Sequence, residues 1–138
     1  MPSYSASVVA DVPPDRVWPL VADLTRHGEW SADPLTVVAV DGGYESVAMS
    51  KGSEFRARLT VVESVPPSRF VFRAKDATGE YEHVITLAPE GNGTRVTRVV
   101  TATGLTFGQR LLFYAVRPIV KRPNARKALG RLAAAATG

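Results

Sequence analysis

Two residues in the second half of the chain are of types that do chemistry, at positions that bring them together: His83 and Arg98. Each lies in a stretch where apolar and polar residues alternate, the period of a half-buried strand. Tyr81, His83, Ile85 and Leu87 alternate with Glu80, Glu82, Val84 and Thr86; Val96, Arg98, Val100 and Ala102 alternate with Arg95, Thr97, Val99 and Thr101. Between them Pro89-Glu90-Gly91-Asn92-Gly93 is a turn. Pairing Leu87 with Val96 across it sets Ile85 opposite Arg98 and His83 opposite Val100. His83 and Arg98 then become diagonal neighbours on one face, with Tyr81 a step further along. A guanidinium between Val96 and Val100 cannot stay buried without a partner. It meets an acid, bonds backbone carbonyls or reaches a polar ligand, unless a β-bulge turns it outward. His83 reads either as a satisfied histidine of a core or pocket wall, or as a group that moves a proton. Tyr81 and Tyr114 read as amphipathic packing with a hydroxyl handle.

Other chemistries find no support. The chain has no cysteine, which removes disulfides, thiolate metal sites and thiol nucleophiles together. Two histidines without an HExxH pattern do not make a metal centre, and no cofactor is implied. There is no nucleophile elbow, P-loop or GxGxxG, and no carboxylate pair spaced for glycoside chemistry. Glu54, Arg56 and Arg58, like Arg73 and Lys75, read as an exposed strand face with cross-strand pairs.

The elements that would position these residues follow from periodicity. Tyr4 to Ala10 alternates as a strand. In DVPPDRVWPLVADLTRHGEW, Pro14 suits the first helical position and Asp15 the positive end of the helix dipole. Val17, Leu20, Val21 and Leu24 repeat at helical spacing, while Pro19 deletes one backbone bond and bends the axis. A second short helix or turn is expected over Thr25 to Trp30. From Leu35 to Thr103 the texture is β, with Asp41-Gly42-Gly43 a hairpin signal and Pro66-Pro67-Ser68 a break. After Gly104 the period is again helical through Phe107, Leu111, Tyr114, Ala115 and Ile119, interrupted at Pro118 and Pro123 and resumed over Ala125 to Ala136. With 138 residues the chain is expected to form one domain, residues 1–138.

Charge is distributed unevenly. Residues 105–138 carry seven basic side chains and no acid, whereas residues 1–104 carry ten basic and thirteen acidic ones, a net of −3. A basic terminal segment is either a solvated helix face or an attractor of an acidic partner. Without a helix-turn-helix context, nucleic acid is not an expected partner. No apolar run reaches the roughly 18 residues of a membrane span, and the N-terminus has neither the basic nor the apolar region of a signal peptide. A cytoplasmic protein is expected, and the preference for Arg over Lys in an Ala/Val/Gly-rich chain has the texture of a high-GC bacterial genome. Nothing in the sequence bears on oligomeric state.

The order of elements, together with VPPDRVWPLVADLTRHGEW, Gly52-Ser53-Glu54-Phe55-Arg56, ESVPPSRFVFR, GNGTRVTRVV and the long Arg-rich helix, resembles the START and birch-pollen-allergen superfamily, and within it the bacterial polyketide cyclase/dehydrase branch. The resemblance implies an α+β helix-grip fold, in which a curved antiparallel sheet wraps a long C-terminal helix over a cradle of two short helices. It implies an internal cavity for a hydrophobic, aromatic or polyketide-like molecule, with Trp18, Trp30, Phe55, Phe72, Phe107 and Tyr114 as binding candidates. In the catalytic form, cyclisation and dehydration without a cofactor, Arg98 would stabilise an oxyanion while His83 with Tyr81 moved the proton. The alternative is a non-catalytic carrier or sensor of lipid-like ligands. The candidate partners are then an acidic carrier protein or, for the lipid alternative, an anionic membrane surface.

Overall fold

The computed structural model describes residues 3–104 and 122–137. Strand β1 (Ser3–Ala10) leads into helix α1 (Pro14–Ala22), whose N-cap is Pro13 and whose first residue is Pro14, as the double proline predicts. Pro19 stands inside this helix. Asp23 follows and caps a short 3-10 helix, Leu24–Glu29, by accepting from the Thr25 N–H at 3.0 Å. Six strands come next without an intervening helix: β2 (Leu35–Val40), β3 (Gly43–Ser50), β4 (Ser53–Val65), β5 (Arg69–Asp76), β6 (Gly79–Glu90) and β7 (Gly93–Ala102). Helix α2 (Arg122–Thr137) ends the described chain. The expected helical segment with Phe107, Tyr114 and Pro118 lies outside the described residues.

All seven strands form one curved antiparallel sheet in the order β1-β7-β6-β5-β4-β3-β2, so β1 and β2 are its edges and the sheet does not close. A seven-stranded sheet with a C-terminal helix against it is consistent with the helix-grip expectation. The β6–β7 register runs unbroken from Tyr81–Ala102 to Glu90–Gly93, pairing His83 with Val100, Ile85 with Arg98 and Leu87 with Val96. No bulge intervenes there, so Arg98 keeps the face that alternation assigns it. The only shift in β4–β5 falls between Val61 and Glu63.

The concave face carries the core. Phe70, Ile85, Leu87 and Val96 are buried with Val17, Leu20 and Val21 of α1 and with Leu129 and Leu132 of α2. Ala125, Ala128, Leu129, Leu132 and Ala136 form a buried stripe at helical spacing, which is why α2 lies on the sheet. Each buried Leu contributes roughly 1.5–3 kcal/mol from apolar burial. The convex face is charged and paired across strands, as in Arg56–Glu45 at 2.9 Å and Arg73–Glu82 at 3.3 Å. These pairs are exposed and add little stability. They keep their glutamates on the face opposite Arg98.

Candidate functional site

Helix α1 ends with four carbonyls that have no partner within the helix. Two side chains from the following segment take two of them. Trp30 Nε1 donates to Leu20 O at 3.0 Å, and His27 Nε2 lies 2.8 Å from Val21 O. A carbonyl only accepts, so His27 carries its proton on Nε2 and leaves Nδ1 as a lone pair. The end of α1 thereby fixes two rings under the sheet, their centroids 4.7 Å apart. Gly28 between them permits this approach. A Cβ at Gly28 would stand 2.2 Å from Leu35 O, so only glycine lets the short helix meet the start of β2.

Over these rings opens a cavity of about 390 Å³, a size for a small organic molecule. Its sheet wall is mostly apolar: Leu35, Val37, Ala57, Leu59, Phe72 and Ala74. Helix α2 contributes Ala125 and Ala128, whose small side chains leave the space open. The polar lining consists, among the described residues, of Tyr4, His27, Ser31, Ser46, His83 and Arg98.

Arg98 is the pivot. Its Nη2 lies 2.7 Å from His83 Nδ1. Guanidinium only donates, so Nδ1 of His83 accepts and the His83 ring proton sits on Nε2. His83 in turn stacks on Phe72, centroids 4.5 Å apart and planes 9° from parallel. The Arg98 guanidinium stands 5.6 Å from the Trp30 ring centroid and 5.9 Å from that of Phe72, within cation–π range of both. Every Asp and Glu of the chain is among the described residues, and none pairs with Arg98. Burial pulls its pKa below the ordinary value, and Tyr4 opposes that weakly. Burial raises the Tyr4 phenol, against a pull downward from Arg98. Burial also lowers the His27 pKa to about 4, the Val21 carbonyl opposing and the charge of Arg98 assisting.

Of the residues singled out from sequence, Trp30, Phe72, His83 and Arg98 line this cavity. Tyr81 does not. It is buried in a second small cluster with Val100 and Ala102, and its hydroxyl lies 2.8 Å from Thr78 Oγ1. Trp18 is half-buried and packs edge-on to Phe70 at 6.3 Å. Phe55 is 51% exposed, beyond the lining. Phe107 and Tyr114 lie outside the described residues. Tyr4, His27 and Ser46 line the cavity without having been singled out for it. Of these, the alternation of β1 places Tyr4 on the buried face; the other two have no such signal.

The sequence matches the family described as polyketide cyclase/dehydrase and lipid transport over residues 1–137. No curated protein matches it. Solved structures share the fold at low identity. A protein from Thermus thermophilus is 24% identical with a TM-score of 0.78, over 99% of this chain and 97% of that one. A protein from Arthrobacter aurescens is 18% identical with a TM-score of 0.77, over 98% and 86%. A protein from Mycobacterium smegmatis is 19% identical with a TM-score of 0.75, over 96% and 89%.

Proposed function

The chain belongs to the polyketide cyclase/dehydrase and lipid transport family, and from that premise we propose that it binds a hydrophobic, aromatic or polyketide-like molecule in the cavity, with Arg98 holding one of its carbonyl or carboxylate oxygens. The observation that carries this is the guanidinium without a carboxylate, at the wall of an otherwise largely apolar space. His83 occupies one of its donors and orients the fork; the others suit an oxygen of the ligand. Trp30 and Phe72 provide flat surface for the ligand body.

The catalytic form of this reading is cyclisation with loss of water. Arg98 there lowers the energy of an enolate that develops on the carbonyl it holds. His83 acts through Arg98 in this arrangement, because its Nδ1 lone pair is already taken and its Nε2 bears the proton. It positions the guanidinium, and from Nε2 it can donate a hydrogen bond but cannot take up the proton that enolate formation releases. That feature favours carriage without turnover as the second reading.

The test is Arg98→Ala. With a naphthoate as probe, calorimetry is expected to give a dissociation constant raised at least tenfold, roughly the 1.4 kcal/mol or more of a charge-assisted hydrogen bond. The thermal midpoint should be kept. A large fall in stability with unchanged affinity would make Arg98 a structural residue and end this reading.

A further inference from the structure

Among the described residues, His27 has one side-chain hydrogen-bond partner and one lone pair to spare. Its Nε2 is engaged by Val21 O at 2.8 Å. No group among the described residues meets its Nδ1, although the side chain is only 5% exposed and lines the cavity. A buried acceptor left without a donor is costly, and native structures rarely tolerate one. His27 also packs against the two rings that flank the Arg98 guanidinium. Its centroid is 4.7 Å from that of Trp30 and 5.6 Å from that of Phe72. The Arg98 guanidinium stands 5.6 and 5.9 Å from the same two rings. The cavity lining thus holds, around the same two rings, a donor that cannot accept and an acceptor that, while the ring is neutral, cannot donate from the same atom.

We propose that His27 Nδ1 accepts a hydrogen bond from the ligand, and that the ligand therefore carries a hydroxyl near the carbonyl or carboxylate oxygen held by Arg98. This rests on the cavity-binding reading and narrows its ligand class to hydroxylated aromatic acids and ketones. The low basicity of the buried ring keeps it an acceptor at neutral pH rather than a base that removes the proton. Plain fatty acyl chains satisfy Arg98 and leave His27 empty.

The experiment uses the unmodified protein and three probes: a naphthoate, its meta-hydroxy derivative and its meta-methoxy derivative. The meta position prevents the hydroxyl from bonding its own carboxylate. Calorimetry is expected to give the hydroxy compound an affinity about five- to tenfold above both others, the worth of one buried hydrogen bond. Nitrogen NMR of the histidines should show His27 Nδ1 moving upfield with the hydroxy compound alone, while Nε2 keeps its proton. Equal affinity of the hydroxy and unsubstituted forms, a methoxy compound as tight as the hydroxy one, or an unmoved Nδ1 would each overturn the inference and leave the Arg98 reading standing. A panel in which no member binds overturns both.

Discussion

At the scale of single residues, His27 also couples stability to pH. Its folded pKa is about 4 against an ordinary 6.5, so between these values the unfolded chain binds a proton that the folded one refuses. Stability from this group is fully present above pH 6.5, falls as pH drops toward 4, and is lost below that. The shift corresponds to about 3 kcal/mol. Urea unfolding of the wild type and His27→Phe at pH 7.5 and pH 4 checks this. The wild type should lose more stability over that interval than the variant, and an equal loss would place the pH dependence elsewhere. The two histidines differ in how readily sequence reveals them. His83 and Arg98 were legible because each interrupts an alternating run, and because the turn between the runs admits a continuous register. His27 was not, since a 3-10 segment has neither the strand nor the α-helix period, and its neighbours identify no face. Tyr81 shares the parity of His83, but parity says nothing about where along the strand the cavity ends.

At the scale of elements, two glycines give opposite expectations for the same change. Gly28 lies where the short helix meets β2, and its Cβ would collide with Leu35 O at 2.2 Å. Gly130 lies in α2 with nothing within 4 Å of its would-be Cβ. Gly28→Ala should therefore cost roughly 1–3 kcal/mol through overpacking and weaken ligand binding by moving His27 and Trp30. Gly130→Ala should add roughly 0.5–1 kcal/mol through helix propensity alone. Thermal midpoints of the two variants decide it, and a Gly28→Ala protein as stable as the wild type would show that the contact yields. Most elements were legible, from β1 through the prolines at the start of α1 to the β6–β7 hairpin. Strand β3 was the exception. Gly43–Ser50 mixes Tyr44, Ser46 and Ala48 on its concave side with Glu45, Val47 and Met49 on the other, so no alternation announces it. Ser46, buried in the cavity wall, was hidden with it.

At the scale of the whole molecule, the cavity and the uneven charge meet on α2. Ala125 and Ala128 line the cavity while Arg126, Lys127 and Arg131 are exposed. Arg131 Nη1 donates to Ser31 O at 2.7 Å, and Ser31 is itself part of the lining. The basic face of α2 thus belongs to the same helix as the cavity wall, while residues 1–104 have a net charge of −3. Long-range attraction along such a face raises encounter rates with an acidic partner and is screened within about 8 Å at physiological salt. In the cyclase reading that partner is an acidic carrier protein delivering a tethered chain; in the lipid reading it is an anionic membrane surface. Arg126→Glu with Lys127→Glu tests this, and Arg131 is kept because it ties α2 to Ser31. In the cyclase reading, binding to an acidic carrier protein is expected at low salt, weakening several-fold at high salt and vanishing in the double variant. Binding to anionic vesicles with none to the carrier would move the function to lipid handling. Binding to neither makes the face a solvated outer surface, and in the cavity-binding reading the ligand then reaches the cavity free in solution.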